Sequence, residues 1–122
     1  MNTKQTGDAG ENAVSQWLVD QGFVLLEKNY RTREGEVDLI ALKDELLVFV
    51  EVKTRKKNYF SLSQVIVPKK QKCIILAAKH YLACHQYIDK ACRFDVALVE
   101  KKQTYTINYI PNAFCEGKLG GE

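Results

Sequence analysis

The chain opens with a helical pattern of apolar residues, followed by a short apolar segment. The apolar residues recur at the spacing of one helix face: Ala9, Ala13, Trp17 and Leu18. Asp8 precedes them as a candidate N-cap, and Gly22 follows them at a position that suits a helix end. The next apolar segment, residues 23–26, predicts a first strand, and the polar segment 28–36 predicts a loop or a strand end.

Two longer apolar segments then predict a hairpin of strands buried in a sheet. They cover residues 35–41 and 48–53, and ionisable side chains interrupt both of them. An even-length turn centred on residues 44–45 would make the two strands antiparallel. In that register Leu42 lies opposite Leu47.

A second helix and two further strands complete the pattern. Residues 58–67 carry no clear periodicity, but Pro68 suits the first turn of a helix that extends to about His85. The apolar stripe of this helix consists of Ile74, Ala77, Ala78, Tyr81 and Leu82. Its opposite face carries Lys69, Lys72 and Lys79. Strands over residues 94–99 and 104–110 then give the order αβββαββ, which predicts an α/β fold with a mixed sheet flanked by helices.

Three ionisable side chains share one face of the predicted hairpin. The register that pairs Leu42 with Leu47 also places Asp38 opposite Glu51, and Lys53 follows Glu51 by two positions. Opposed carboxylates repel each other, and burying an unpaired charge costs several kcal/mol. We therefore expect Asp38 and Glu51 to hold a cation, for which a divalent metal is the obvious candidate.

Composition predicts a single domain in the cytoplasm. The chain has 122 residues, of which 46% are hydrophobic, which is enough for one core over residues 1–122 with flexible ends at 1–7 and 116–122. The N-terminal residues lack the apolar stretch of a signal peptide. No apolar run approaches the roughly 20 residues of a membrane span, so we expect no membrane association.

The cysteines predict neither disulfides nor a zinc site. Cys73, Cys84, Cys92 and Cys115 form no Cys-x-x-Cys pair, and in a reducing compartment such residues are mostly small buried hydrophobes. A zinc site on His80, Cys84 and His85 is the weaker interpretation, because no paired ligand knuckle accompanies them.

Positive charge is concentrated in one part of the chain. Residues 52–88 contain eight Lys or Arg residues and no Asp or Glu, whereas the remaining residues contain ten basic and 15 acidic side chains. The simplest interpretation of this concentration of positive charge is an ordinary solvated surface. Because the basic tract begins at the predicted metal site, it also fits a surface that grips a phosphodiester backbone.

The charged residues of the hairpin, together with Glu11 on the first helix, resemble a known motif. An Asp on one strand and Glu-x-Lys on the next, here Asp38 and Glu51-Val52-Lys53, are similar to the site of the PD-(D/E)XK nuclease superfamily, although Val37 stands where that motif has proline. The same arrangement is similar to that of archaeal Holliday-junction resolvases. A closer match is to the bacterial YraN family, also called UPF0102, and the matching segments are Gly10-Glu11 with Ala13, Asn29-Tyr30-Arg31, residues 35–41, residues 48–55, Arg93-Phe94-Asp95-Val96 and Asn112-Ala113-Phe114.

This resemblance implies a restriction-endonuclease-like fold and metal-dependent hydrolysis of phosphodiester bonds. The implied ligands of Mg²⁺ or Mn²⁺ are Asp38, Glu51 and the main-chain carbonyl of Val52, with Glu11 acting directly or through water. Lys53 would orient the nucleophile and stabilise the transition state as a cation. The implied catalytic residues are therefore Glu11, Asp38, Glu51 and Lys53.

The implied partner is nucleic acid, with DNA favoured over RNA and branched or structured DNA suggested by the resolvases. Residues expected to contact it are Arg31, Arg33, Arg55, Lys56, Lys57, Lys69, Lys70, Gln71 and Lys72. Two other functions remain open: a non-catalytic nucleic-acid-binding module, and a protein-interaction subunit whose partner supplies specificity. A symmetric homodimer would suit cleavage of both strands of a duplex.

Each charged residue also has a structural interpretation. Glu11 would complete a capping box with Asp8. Asp38 would pair with Arg31 or Arg33, and Glu51 with Lys53. Asp95 follows Arg93 by two positions, and we interpret these two as same-face partners with a structural role. Glu36 lies near the start of its predicted strand, where its side chain would either approach the metal or be solvated.

Overall fold

Two helices and five strands form the described part of the chain. The computed structural model describes residues 3–55, 66–87 and 89–116. Its elements are α1 (Thr3–Asp20), β1 (Val24–Arg31), β2 (Glu36–Lys43), β3 (Leu46–Arg55), α2 (Pro68–His85), β4 (Ala91–Lys101) and β5 (Tyr105–Phe114). This order, αβββαββ, confirms the predicted mixed α/β fold.

The five strands lie in one mixed sheet in the order β1-β2-β3-β4-β5. Neighbouring strands are antiparallel except β3 and β4, which are parallel and are joined by a connection that contains α2. In the β2–β3 hairpin Leu42 pairs with Leu47, which confirms the predicted register. Continuing this register brings Asp38 level with Glu51.

In the described part of the chain, α2 packs on one face of the sheet and α1 on the other. On one face, Ile40 of β2 and Phe49 of β3 pack with Ile74 of α2. On the other face, Leu39 and Val50 pack with residues of α1. Alternate residues of a strand point to the same side, so Asp38 shares the α2 face with Ile40, and Glu51 shares it with Phe49.

The first helix starts earlier than its apolar pattern indicates. It begins at Thr3, so Asp8 lies inside the helix and cannot cap its N-terminus, and the predicted capping box of Asp8 and Glu11 is wrong. Residues 3–7 carry no apolar periodicity, which is why the pattern missed them. The predicted end is confirmed, because Gly22 has a φ of 99° and its N–H donates to the carbonyl of Val19.

All five of these strands extend beyond the residues predicted for them. β1 continues to Arg31, through polar residues that had suggested a loop, because Tyr30 pairs with Val37 and Arg31 with Glu36. As an edge strand, β1 tolerates polar side chains that face solvent. β4 and β5 also extend beyond the predicted residues 94–99 and 104–110. Pairing with a neighbouring strand thus outweighs weak local patterning at these ends.

The prediction of buried cysteines is wrong. All four are free thiols: Cys73 and Cys115 are half-buried, and Cys84 and Cys92 are exposed. Two of them, Cys73 and Cys84, lie off the apolar stripe of α2, which Ile74, Ala77 and Tyr81 fill.

Some of the predictions concern residues outside the described ranges. These are Lys56 and Lys57, the segment 58–65, and the chain ends 1–2 and 117–122. Helix α1 covers residues 3–7, which had been expected to be flexible. Neither α1 nor α2 is long and apolar enough to cross a membrane.

Candidate metal and nucleic-acid site

Asp38 and Glu51 line a single cavity between the hairpin and α2. The cavity has a volume of about 230 Å³, and its described lining consists of Glu36, Asp38, Glu51, Lys70, Cys73 and Ile74. Asp38 is 8% exposed and Glu51 is 6% exposed. The predicted meeting of these two carboxylates on one face of the sheet is therefore confirmed.

The Asp38 carboxyl group is held in a site that disfavours its charge. Burial raises its pKa to about 8, and repulsion from Glu51 acts in the same direction. A hydrogen bond of 2.8 Å from the Val52 N–H to Asp38 Oδ2 opposes this shift only in part. The charge of Glu11 adds a smaller increase to the pKa of Asp38. An additional cation in the cavity would favour release of this proton.

A lysine from α2 already supplies one cation to this cavity. Lys70 Nζ lies 2.5 Å from Glu51 Oε2, and Glu51 is the buried partner of the pair. Burial lowers the pKa of Lys70, but the carboxylates of Glu51, Asp38 and Glu36 outweigh this effect and raise it overall. Lys70 had been predicted to contact nucleic acid; in the structure it lines the carboxylate cavity and pairs with Glu51.

The alternative ion pairs predicted for Asp38 and Glu51 are wrong. Glu51 pairs with Lys70 rather than with Lys53. Arg31 pairs with Glu36, with 3.3 Å between Nε and Oε1, rather than with Asp38. Sequence spacing favoured near neighbours, whereas the crossover connection after β3 brings a residue of α2 over Glu51.

Lys53 lies beside the cavity rather than in its described lining. It is half-buried on β3, two positions after Glu51, and strand alternation places it on the same face. The structure thus keeps Lys53 on the predicted side of the sheet, at the end of β3.

Glu11 belongs to a neighbouring polar cleft. This cleft has a volume of about 570 Å³, and its described lining consists of Asp8, Glu11, Asn12, Lys28, Asn29, Arg31 and Glu36. Burial raises the pKa of Glu11, although a hydrogen bond with the Asn29 side chain opposes that shift. Glu36 lines both cavities, so the cleft that holds Glu11 adjoins the cavity that holds Asp38. The sequence left open whether Glu36 approaches the metal or is solvated, and in the structure it lines the Asp38–Glu51 cavity.

A close backbone contact fixes the start of α2 over the hairpin. A Cβ atom at Gly35 would lie 2.5 Å from the carbonyl oxygen of Cys73, so no larger residue fits without movement. Cys73 lies one helical turn after Lys70. The contact holds the first turns of α2, and with them Lys70, at the cavity. No pattern in the sequence indicated it.

The residues expected to bind nucleic acid come from several elements of the fold. Lys69 and Lys72 are exposed on α2, Arg33 is exposed in the loop before β2, and Arg55 is exposed at the end of β3. Gln71 is half-buried, and its Nε2 donates to the carbonyl of Ile66 at 3.2 Å. This hydrogen bond links the Gln71 side chain to the backbone just before α2. Lys56 and Lys57 lie outside the described residues.

Asp95 has a structural role, as predicted. Its carboxylate is completely buried and accepts hydrogen bonds from Arg93 Nε at 2.9 Å and Nη2 at 3.0 Å. The Tyr109 hydroxyl and the Asn112 N–H donate to the same carboxylate at 2.5 and 2.9 Å. These contacts satisfy the buried charge without a metal.

The donor set of the Asp38–Glu51 cavity fits Mg²⁺ or Mn²⁺. Two buried carboxylates supply the hard oxygen ligands that these ions prefer. In the structure, the Lys70 ammonium group pairs with one of them, Glu51. Among the described side chains, no third His, Cys, Asp or Glu joins them in a group able to hold an ion. The remaining ligands would therefore be water and the predicted carbonyl of Val52.

The structure gives no support to the zinc alternative on α2. His80 Nδ1 lies 2.6 Å from the Tyr30 hydroxyl, and the Cys84 sulfur lies 3.8 Å from both ring nitrogens of His80. His85 donates from Nδ1 to the carbonyl of Tyr81 at 3.1 Å, and their rings stack. Among the described residues, these three side chains do not form a group able to hold a metal ion.

Comparison with known proteins agrees with the sequence resemblance at the level of the family. A family model described as "Uncharacterised protein family UPF0102" matches residues 10–99. A UPF0102 protein of Alkaliphilus metalliredigens is 40% identical over 92% of this chain and 99% of its own length. One from Caldicellulosiruptor bescii is 44% identical over 93% of this chain and 100% of its own length. The UPF0102 protein NE0719 of Nitrosomonas europaea is 42% identical over 90% and 93%, respectively.

Proposed function

The chain belongs to the UPF0102 family, and we propose that it is a metal-dependent endonuclease that hydrolyses phosphodiester bonds in nucleic acid. The observation that carries this proposal is the cavity in which Asp38 and Glu51, both buried, meet beside the basic start of α2. Two opposed buried carboxylates cost stability, and a bound metal ion would offset that cost more fully than the single Lys70 ammonium does. Phosphodiester cleavage needs such a cation next to a surface that attracts phosphate.

DNA is the favoured substrate, and structured or branched DNA is favoured within that class by the resemblance to archaeal resolvases. Exposed Lys69 and Lys72 lie on the helix that supplies Lys70 to the cavity, so a phosphate backbone bound there would pass the carboxylates. Arg33 and Arg55 extend this basic surface from the loop before β2 and the end of β3.

The roles of the residues follow from their positions. Asp38 and Glu51 would hold Mg²⁺ or Mn²⁺ with the carbonyl of Val52, and Glu11 would act through water from the neighbouring cleft. Bound there, the metal would acidify a water molecule and stabilise charge on the scissile phosphate. Lys53, at the end of β3, would orient the nucleophile as a cation.

A non-catalytic nucleic-acid-binding module is the second candidate. The observation that favours it is the ion pair between Lys70 and Glu51, which compensates one buried carboxylate without a metal. Such a module would bind nucleic acid with a steep salt dependence and would not cleave it.

A cleavage assay distinguishes these two functions. Duplex, single-stranded, flapped and four-way DNA, with matched RNA, would be incubated with Mg²⁺, Mn²⁺ or chelator. We expect metal-dependent cleavage that Asp38→Asn abolishes and that Asp44→Asn, in the exposed turn of the hairpin, leaves unchanged. Salt-sensitive binding without cleavage of any substrate would establish the non-catalytic module instead.

A further inference from the structure

The contact between Lys70 and Glu51 places a cation of the protein itself at the carboxylates that would bind metal. The distance of 2.5 Å between Nζ and Oε2 is that of a direct, charge-assisted hydrogen bond. Glu51 is buried, and Lys70 reaches it from the helix that covers this face of the sheet. The ammonium group and a divalent metal would therefore compete for the same oxygen.

The position of Lys70 is unfavourable within its own helix. It lies in the first turn of α2, where the helix dipole repels positive charge, and this turn contains no acidic residue. Val67 at the N-cap makes no side-chain capping contact that would offset this repulsion. Local helix energetics therefore do not explain a lysine here, whereas the contact with Glu51 does.

The backbone holds Lys70 in this position. The approach of Gly35 to the carbonyl of Cys73 leaves no room for a side chain at Gly35, so the first turns of α2 lie against the entrance of β2. The Lys70 side chain is 44% exposed at the same time, so it can leave Glu51 without disturbing the core.

We propose that Lys70 is a tethered counter-ion that neutralises the Asp38–Glu51 pair and that a divalent metal must displace from Glu51 in order to bind. This inference rests on the proposed metal site. It adds that the site is built to be stable without metal, and that its affinity for metal is set partly by the cost of breaking the Lys70–Glu51 pair. The displaced ammonium then faces the surface proposed for the phosphate backbone.

Mn²⁺ titration calorimetry without nucleic acid tests this displacement. Wild type would be compared with Lys70→Met and with Lys69→Met, which removes an equal charge from the same helical turn but leaves the Lys70–Glu51 pair in place. We expect Lys70→Met to bind Mn²⁺ about tenfold more tightly than Lys69→Met, corresponding to about 1.4 kcal/mol. Lys69→Met should remain within about threefold of wild type, because only long-range charge changes.

Thermal unfolding provides the second measurement on the same three proteins. Without metal, Lys70→Met should melt at a lower temperature than Lys69→Met, because Glu51 loses its partner. Saturating Mn²⁺ should then raise its melting temperature by more than it raises that of either other protein.

The outcomes separate this inference from the proposed function. If wild type binds Mn²⁺ but Lys70→Met binds it no more tightly than Lys69→Met, displacement is wrong and the metal site stands. If none of the three proteins binds Mn²⁺, the metal site of the proposed function is wrong, and the proposed displacement of Lys70 is then wrong as well.

Discussion

The Oδ2 atom of Asp38 accepts a hydrogen bond of 2.8 Å from the backbone N–H of Val52, the residue directly after Glu51. This contact crosses the hairpin and fixes the Asp38 carboxylate next to Glu51 on the face covered by α2. It also ties the orientation of Asp38 to the backbone segment whose carbonyl is the predicted third ligand. The positions of the two carboxylates are thus set by β2 and β3 together.

Replacing Asp38 by asparagine should separate catalysis from stability. The change would remove one ligand of the proposed metal, so we expect cleavage to fall by orders of magnitude. It also removes carboxylate repulsion, so without metal the free energy of unfolding should stay the same or rise. Cleavage assays and urea unfolding with chelator measure the two effects.

Metal binding provides the control for this variant. Excess Mn²⁺ should raise the melting temperature of wild type and of Asp44→Asn, and should raise that of Asp38→Asn by less. A destabilised Asp38→Asn beside a wild type that does not respond to metal would show that Asp38 is a structural ion-pair partner.

Asp95→Asn should have the opposite effect on stability. Asp95 is completely buried, and its carboxylate accepts two hydrogen bonds from Arg93. Loss of its charge leaves the guanidinium poorly compensated, so we expect a cost of up to about 3–5 kcal/mol. Urea unfolding of both Asp→Asn variants under the same conditions makes the comparison, and equal effects at the two positions would contradict it.

The stability of the metal-free protein should fall as pH rises from about 4 to 8. The pKa of Asp38 is raised from its usual 3.8 to about 8, so in this range the native state holds a proton that the unfolded chain releases. Each pH unit of a full one-proton difference lowers the free energy of unfolding by about 1.4 kcal/mol. Urea unfolding at several pH values, with chelator, measures the slope.

Asp38→Asn is the matched control for this pH dependence. An amide does not titrate in this range, so the variant should lose much of the downward slope. An identical slope in wild type and in Asp38→Asn would assign the pH dependence to another group.

Gly35→Ala should destabilise the fold by about 1–3 kcal/mol. The added Cβ would lie 2.5 Å from the carbonyl oxygen of Cys73, so either β2 or α2 must move. Glu34→Ala, one position earlier and exposed, should change stability by less than about 0.5 kcal/mol. Thermal or urea unfolding compares them, and similar stabilities would show that α2 accommodates the methyl group.

Neutralising the exposed lysines of α2 should weaken nucleic-acid binding for all sequences alike. We expect Lys69→Gln with Lys72→Gln to shallow the salt dependence of binding by about one unit or slightly less per lost phosphate contact. Lys43→Gln is the control, because Lys43 ends β2 roughly 17 Å along the strand from Asp38. Fluorescence anisotropy over a salt series measures both. Unchanged slopes would identify the two lysines as ordinary solvated surface.

Much of the fold could be predicted because it depends on local patterns. The apolar stripe of α2 and the alternation in the β2–β3 hairpin repeat at the periods of a helix and a strand. The weakly patterned ends could not be predicted in the same way. Residues 3–7 and the polar half of β1 have no apolar period, and tertiary packing and strand pairing decided their structure.

That Asp38 and Glu51 share a face follows from local sequence alone, because the side-chain period of a strand is two and the turn length fixes the register. The cation that contacts Glu51 depends instead on tertiary packing. Lys53 is near in sequence, but Lys70 makes the contact, because the connection from β3 to β4 carries α2 across this face and the Gly35–Cys73 contact sets its position. Placement of a helix on a sheet depends on packing over many residues, which no local spacing records.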